Sequence, residues 1–221
     1  MDQRKLSRRQ LLKAAGVLGA TAAVFDPTKV FADENEGNGR VTWDLVNVNF
    51  VNGSPTHITR GGTSKAMSTD QNHAVTAEIT VTGHGTFPNR DKCSKNVTGG
   101  GTWSVTTAAA APNPCFPGSG NYRVIELLSW HPAPGTLPLP DDTGDKGTPS
   151  SGLATLRVLY DNGRRGTLTV SCHLPAGPTP ACTFEGITAS MDYEDFWQNE
   201  APGPAEGNRT LFHVSTEDGG D

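Results

Sequence analysis

Leu156-Arg157-Val158-Leu159-Tyr160-Asp161-Asn162-Gly163-Arg164-Arg165-Gly166-Thr167-Leu168-Thr169-Val170-Ser171-Cys172 decides the fold class of this chain. Leu156, Val158 and Tyr160 stand at every second position before Asp161-Asn162-Gly163, and Leu168, Val170 and Cys172 do the same after it. A period of two sends successive side chains to opposite faces of an extended chain. Asn-Gly between two such runs predicts an antiparallel β-hairpin.

The same period recurs on either side. Val75, Ala77, Ile79 and Val81 alternate with Thr76, Glu78, Thr80 and Thr82, and Val46, Val48 and Phe50 alternate with Asn47 and Asn49. Further strands are expected at 101–107, 121–130, 182–190 and 209–214, whereas long helical periodicity is almost absent. The expected fold is therefore all-β, an antiparallel sandwich or barrel of about seven to eight strands with long Pro/Gly-rich loops. The two longest loops are expected at 108–120 and 131–152, which are rich in Ala, Pro, Gly and Asp. Asp192 to Trp197 reads as one or two helical turns, with Asp192 as N-cap and Ala201-Pro202 as the stop. Aromatic side chains on that helix would face the core and acids would face water.

A faint echo runs through the middle of the chain. Val81-Thr82-Gly83-His84-Gly85-Thr86-Phe87 returns sixteen residues later as Val97-Thr98-Gly99-Gly100-Gly101-Thr102-Trp103. Two copies at this spacing do not make a solenoid, and each reads as a Gly bend in neighbouring hairpins. Neither copy is a G-x-G-x-x-G turn opening a helix, nor a P-loop, which excludes the familiar nucleotide-binding loops.

The N-terminus is of another kind. Ser7-Arg8-Arg9-Gln10-Leu11-Leu12-Lys13 follows the bacterial twin-arginine export pattern, with Leu11 where Phe is commoner. Leu11 to Phe25 behind it is rich in Ala, Gly, Val and Leu, which suits a signal h-region and, at about 15 residues, is too short to span a bilayer. Cleavage is expected after Ala32, leaving residues 33–221 as one secreted β domain with flexible termini. The first Cys is Cys93, so no thiol lies near the cut to take a lipid, and Leu139-Pro140-Asp141-Asp142-Thr143-Gly144 has one residue too many for a cell-wall sorting motif. The expected destination is extracellular, the partner during export is the twin-arginine translocase, and no stable membrane insertion follows.

Residues 33–221 carry 12 basic against 21 acidic residues, a formal charge of −9 against −5 for the whole chain. An acidic domain with no basic cluster beyond Arg164-Arg165 repels phosphate backbones and anionic bilayers, which excludes nucleic acid as a partner class. The four cysteines, Cys93, Cys115, Cys172 and Cys182, all belong to the exported part, where disulfides persist. Each of the pairs Cys93–Cys115 and Cys172–Cys182 flanks a Gly/Pro-rich loop, so these are the expected bonds.

Catalytic and metal signatures are missing. There is no G-x-S-x-G, no H-E-x-x-H and no aspartate-rich calcium loop, and the spacing of the six histidines demands no metal. Two places carry ligand-binding chemistry. Trp130-His131 stands where a strand gives way to the long loop, and Asp192 and Glu194 lie among Tyr193, Phe196 and Trp197, in the manner of aromatic-lined acid pairs. Gly99-Gly100-Gly101-Thr102-Trp103, 184–190 and 208–214 together resemble secreted proteins of actinobacteria that carry a twin-arginine signal peptide. That resemblance implies a source type and no substrate, cofactor or activity. The expectation is an exported, non-catalytic β-domain for binding or structural interaction. The alternative is an enzyme or metal-binding protein with a loop-built site, acting on carbohydrate or a small hydrophobic molecule.

Overall fold

The computed structural model describes residues 39–90, 92–108, 116–203 and 207–216. The export signal, its cleavage position, Cys115 and residues 109–115 of the first expected loop lie outside them. Among the described residues there are thirteen strands and no helix: β1 (Arg40–Val51), β2 (Ser54–Arg60), β3 (Ser64–Thr69), β4 (Val75–Val81), β5 (His84–Pro88), β6 (Thr98–Thr107), β7 (Gly118–Ala133), β8 (Thr148–Tyr160), β9 (Arg165–Cys172), β10 (Gly186–Met191), β11 (Glu194–Phe196), β12 (Gln198–Asn199) and β13 (Thr210–Ser215).

All named strand pairs are antiparallel, and the hydrogen-bonded ladder closes on itself. β8 pairs with β13, β13 with β1, β1 with β5, β5 with β6, β6 with β7, and β7 with β8 again. Closure removes the exposed edges that an open sheet must protect. Two arms extend the ring: β9, β10 and β11 continue from β8, while β4, β3 and β12 continue from β6. The arms meet where the Ser64 hydroxyl accepts from the Ile187 amide at 2.9 Å and donates to Asn208 Oδ1 at 2.9 Å.

The hairpin at 156–172 forms with Leu156 opposite Leu168 and Val158 opposite Gly166. Its turn differs in detail from a two-residue Asn-Gly loop. Gly163 alone has positive φ, at 85°, and its amide donates to the Tyr160 carbonyl at 3.0 Å, the geometry of a longer loop ending in a glycine bulge. The echo is also more than two separate bends. Val81 pairs with Trp103, His84 with Gly100, Gly85 with Gly99 and Thr86 with Thr98, so the two copies lie antiparallel beside each other. A Cβ on Gly85 would collide with the Thr98 carbonyl and come 2.8 Å from Trp43 Nε1, so glycine is needed for that approach.

Inside the ring, Phe87, Trp130 and Phe212 stack at centroid distances of 4.5–6.3 Å, with Trp43 buried beside the β5–β6 glycines. Trp130 Nε1 donates to Asn89 Oδ1 at 3.1 Å, which satisfies the one polar atom of that ring. The hairpin end of β8 is packed separately by Trp103 and Tyr122 against Tyr160.

Three expectations are corrected here. Residues 192–197 form no helix: β10 turns at Asp192, with φ of 52°, into β11, and the period is two. Glu194 and Phe196 point inward, while Tyr193, Asp195 and Trp197 are exposed, so here one acid faces the interior and two aromatics face water. Cys172 and Cys182 are not joined. The alternation that buries Leu168 and Val170 also buries Cys172, whose thiol donates to the Thr210 carbonyl at 3.2 Å, while Cys182 is exposed. Burial, with the Glu185 charge nearby, raises the Cys172 pKa well above the ordinary range and leaves an inert thiol. Cys93 is also a free, exposed thiol, so the expected Cys93–Cys115 bond is corrected with the other. The second long loop is shorter than 131–152, because β7 runs on to Ala133 and β8 begins at Thr148.

The aromatic cluster generates a contrast between two tryptophans. Trp130→Ala should lower unfolding free energy by about 3–5 kcal/mol through lost burial and a residual cavity. Trp197→Ala, at a half-exposed position, should change it by less than about 0.5 kcal/mol. Urea denaturation of both variants checks the pair.

Candidate functional site

The residues read from the sequence as ligand-binding occupy separate places. Trp130 belongs to the core, and His131, next to it on β7, is exposed. Asp192 caps the β10–β11 turn and pairs with Arg164 at 2.5 Å, beside the hairpin tip at the Tyr160 end of β8, whereas Trp130 pairs with Ala154 in the middle of that strand. Glu194 is buried and accepts from the Ser68 hydroxyl at 2.8 Å. The two acids therefore do not face a common pocket. The histidines are dispersed as well. His57 and His173 bond locally to Thr56 and the Thr183 carbonyl, His73, His84 and His131 are exposed, and His213 is buried.

Two other features concentrate chemistry, and one loop serves both. Residues 134–147 run along β2, with the Ile58 amide donating to the Pro140 carbonyl at 3.0 Å and the Asp142 amide to the Ile58 carbonyl at 2.9 Å. At its start the loop is pinned to the β9–β10 connection, the Thr136 amide donating to the Ala176 carbonyl at 2.7 Å. Leu137 and Leu139 lie against the hydrophobic core, and Asp141 and Asp145 are held by His213 and Arg60.

The first feature is an apolar cleft of about 250 Å³. Val46 and Val48 of β1, Ile58 of β2, Leu137, Leu139 and Leu174 form its walls, and Glu185, Arg209 and His173 contribute polar groups. The Glu185 carboxylate accepts from the Thr210 amide at 2.5 Å and from the His173 amide. Burial pushes its pKa up to about 7, against the pull of those amides, the Thr210 hydroxyl and the Arg209 charge.

The second feature is a cluster of Asp44 (β1), Arg60 (β2), Asp141 and Asp145 (loop) and His213 (β13). Arg60 Nε meets Asp44 Oδ1 at 3.2 Å, and the same guanidinium pairs with Asp145 Oδ1. His213 Nε2 meets Asp141 Oδ2 at 2.5 Å. The Thr143 amide and hydroxyl donate to Asp141 Oδ1 at 3.0 and 2.7 Å, and Gly144 at φ of 80° turns the chain so that Asp145 re-enters. Burial works against ionisation of Asp141, yet the Thr143 donors and the His213 ring outweigh it and hold its carboxyl below the usual range. Asp44 is raised, first by burial and then by the neighbouring Asp145 carboxyl, with Arg60 opposing. Asp44, Arg60 and His84, with Gly83, Gly100 and Gly101 of the echo, also line an open recess of about 280 Å³.

Sequence reasoning missed this cluster because its members stand at 44, 60, 141, 145 and 213, with no short spacing to betray them. Leu139 to Gly144, one residue too long for a sorting motif, is the segment that delivers Asp141.

Residues 5–25 match the family model of the twin-arginine translocation pathway signal sequence. No curated protein and no solved structure matches the chain. The protein is thus an exported, β-rich cargo of the twin-arginine translocase.

Glu185 generates a pH dependence. Its carboxyl titrates near 7 when folded and near the ordinary 4.5 when unfolded, so the folded state holds more protons between those values. Its contribution to stability is full below about pH 4.5 and is lost as pH rises to about 7. Unfolding free energies measured at pH 5 and pH 8 should fall more for the parent than for Glu185→Gln, by roughly 1–3 kcal/mol.

Proposed function

We propose that residues 33–221 form a single exported, non-catalytic binding domain that takes a small, mostly apolar molecule with one polar end. The observation that carries this reading is the cleft between β1, β2 and the 134–147 loop. Aliphatic side chains from β1, β2, β13 and the loop surround a space of about 250 Å³ that also meets Glu185 and Arg209. Apolar walls with a few placed polar groups are the ordinary form of a small-molecule site. The space is too small for a helix of about 10–12 Å diameter, which favours a small molecule over a peptide partner. Rigidity supports the reading too, since both ends of the loop bearing Leu137 and Leu139 are hydrogen-bonded to neighbouring segments.

The metal-binding alternative gains a footing in the Asp44 cluster. An acid pair acting on carbohydrate does not, because Asp192 and Glu194 face different surroundings. An extracellular destination and an actinobacterial source complete the proposal, on the signal peptide and on the resemblance described above.

Titration with 1-anilinonaphthalene-8-sulfonate at pH 7, an apolar probe with one anionic end, checks the proposal. The exported protein should bind it with a micromolar Kd. Val48→Trp, which fills the cleft from a half-buried strand position, should weaken binding tenfold or more while the β-sheet circular dichroism is kept. Equal binding by the folded variant would overturn the assignment of the cleft.

A further inference from the structure

The Asp44 cluster has more acid than base and three donor atoms left over. Asp44, Asp145 and His213 each offer a ligand atom, all within 4.8 Å of one another. Their side chains are 1%, 6% and 1% exposed. Asp44 Oδ2, Asp145 Oδ2 and His213 Nδ1 are buried with no donor group beside them among the described residues, and the Asp44 and Asp145 carboxyls face each other. A buried polar atom left unpaired costs free energy, and three converging on one point indicate an occupant.

The atoms that are engaged orient those that are not. Arg60 holds Oδ1 of both Asp44 and Asp145. His213 Nε2 faces the Asp141 carboxylate, and the tautomer that donates there presents the Nδ1 lone pair toward Asp145 Oδ2, at 3.7 Å. A carboxylate behind a histidine is the support that ligating histidines ordinarily have, and Thr143 fixes that carboxylate in turn. Arg60 is the one guanidinium facing Asp44 and Asp145, while Asp141 faces His213, so the cluster has room for a further cation.

We propose that Asp44, Asp145 and His213 bind one divalent transition-metal ion of the zinc or manganese kind. One imidazole nitrogen with two carboxylates suits these ions, whereas calcium and magnesium favour sites made of oxygen. Three protein ligands leave a coordination position open, and the recess beside Asp44 and His84 gives water or a small anion a way to it. The site is separate from the apolar cleft and goes beyond the binding function proposed for it. Export by the twin-arginine route, which carries folded cargo, lets the ion be loaded before translocation.

The test uses tag-free protein recovered from culture medium, stripped with EDTA and titrated at pH 7 with ZnCl2, MnCl2 or CaCl2 by calorimetry, with native mass spectrometry for stoichiometry. One zinc or manganese ion per chain with a micromolar or tighter Kd is expected. Asp145→Asn should weaken binding by a hundredfold or more, and Thr143→Ala by about tenfold. Val48→Trp should leave it unchanged, so failure of the cleft and failure of the metal site are told apart. Absence of stoichiometric zinc or manganese, calcium binding tighter than zinc, or zinc binding unchanged in Asp145→Asn would each overturn the proposal. If Asp145→Asn does not fold, the parent decides by nitrogen-15 NMR of the His213 ring during zinc titration. A large shift at Nδ1 supports the site and an unmoved Nδ1 overturns it.

Discussion

Strand β1 is hydrogen-bonded along both edges over the same residues, and the rest of the molecule follows from that. Arg40 to Leu45 pair with β13 on one side, and Arg40 to Asp44 with β5 on the other, inside a ladder that closes through β6, β7 and β8. A strand so placed has no free edge, and here both of its faces are covered as well. Val41, Trp43 and Leu45 are buried, and so are Asp44 and Val46 between and beside them. An isolated carboxylate at such a position would cost several kcal/mol. The fold offsets part of that cost with Arg60, whose Nε pairs with Asp44 Oδ1, while Asp145 beside it works the other way and leaves the spot short of positive charge. The polar cluster is thus a consequence of closing the ring over an acidic residue in its middle.

The loop 134–147 ties the cluster to the cleft. Its leucines face the cleft, Asp141 and Asp145 face the cluster, and the β2 backbone fixes it between the two. An ion at Asp145 would restrain the C-terminal half of the segment whose N-terminal half walls the ligand space. Cleft and cluster are chemically unlike, one apolar around a raised carboxyl and the other charged around a guanidinium, yet they share this support.

What was legible in the sequence was whatever depends on neighbours along the chain. The alternation around Asp161-Asn162-Gly163 gave the hairpin, and the same period gave β4, the second half of β1 and the all-β class. β2, β3 and β5 were not legible, because Ser54–Arg60, Ser64–Thr69 and His84–Pro88 are short and polar or Gly-containing and become strands by pairing with stronger ones. Cys172 could have been placed correctly, since the alternation that reads Leu168 and Val170 as inward reads the thiol as inward too. The flanking Gly/Pro-rich loop suggested a staple, but strand burial governs. Asp192 to Trp197 misled because six residues rich in acids and aromatics fit a helical turn and a hairpin equally well. The cluster at Asp44 was illegible, because closure of the ladder brings positions 44, 145 and 213 together and no local pattern reports it.

The most direct measurement is anomalous X-ray diffraction at the zinc edge from crystals of the exported protein grown with zinc. One strong peak in contact with Asp44, Asp145 and His213, with β1 paired to β13 and β5 around it, is the expected result. A map with no peak there, or with zinc held only by exposed histidines such as His73 or His131, would contradict the view that closing the ladder around β1 builds a cation site.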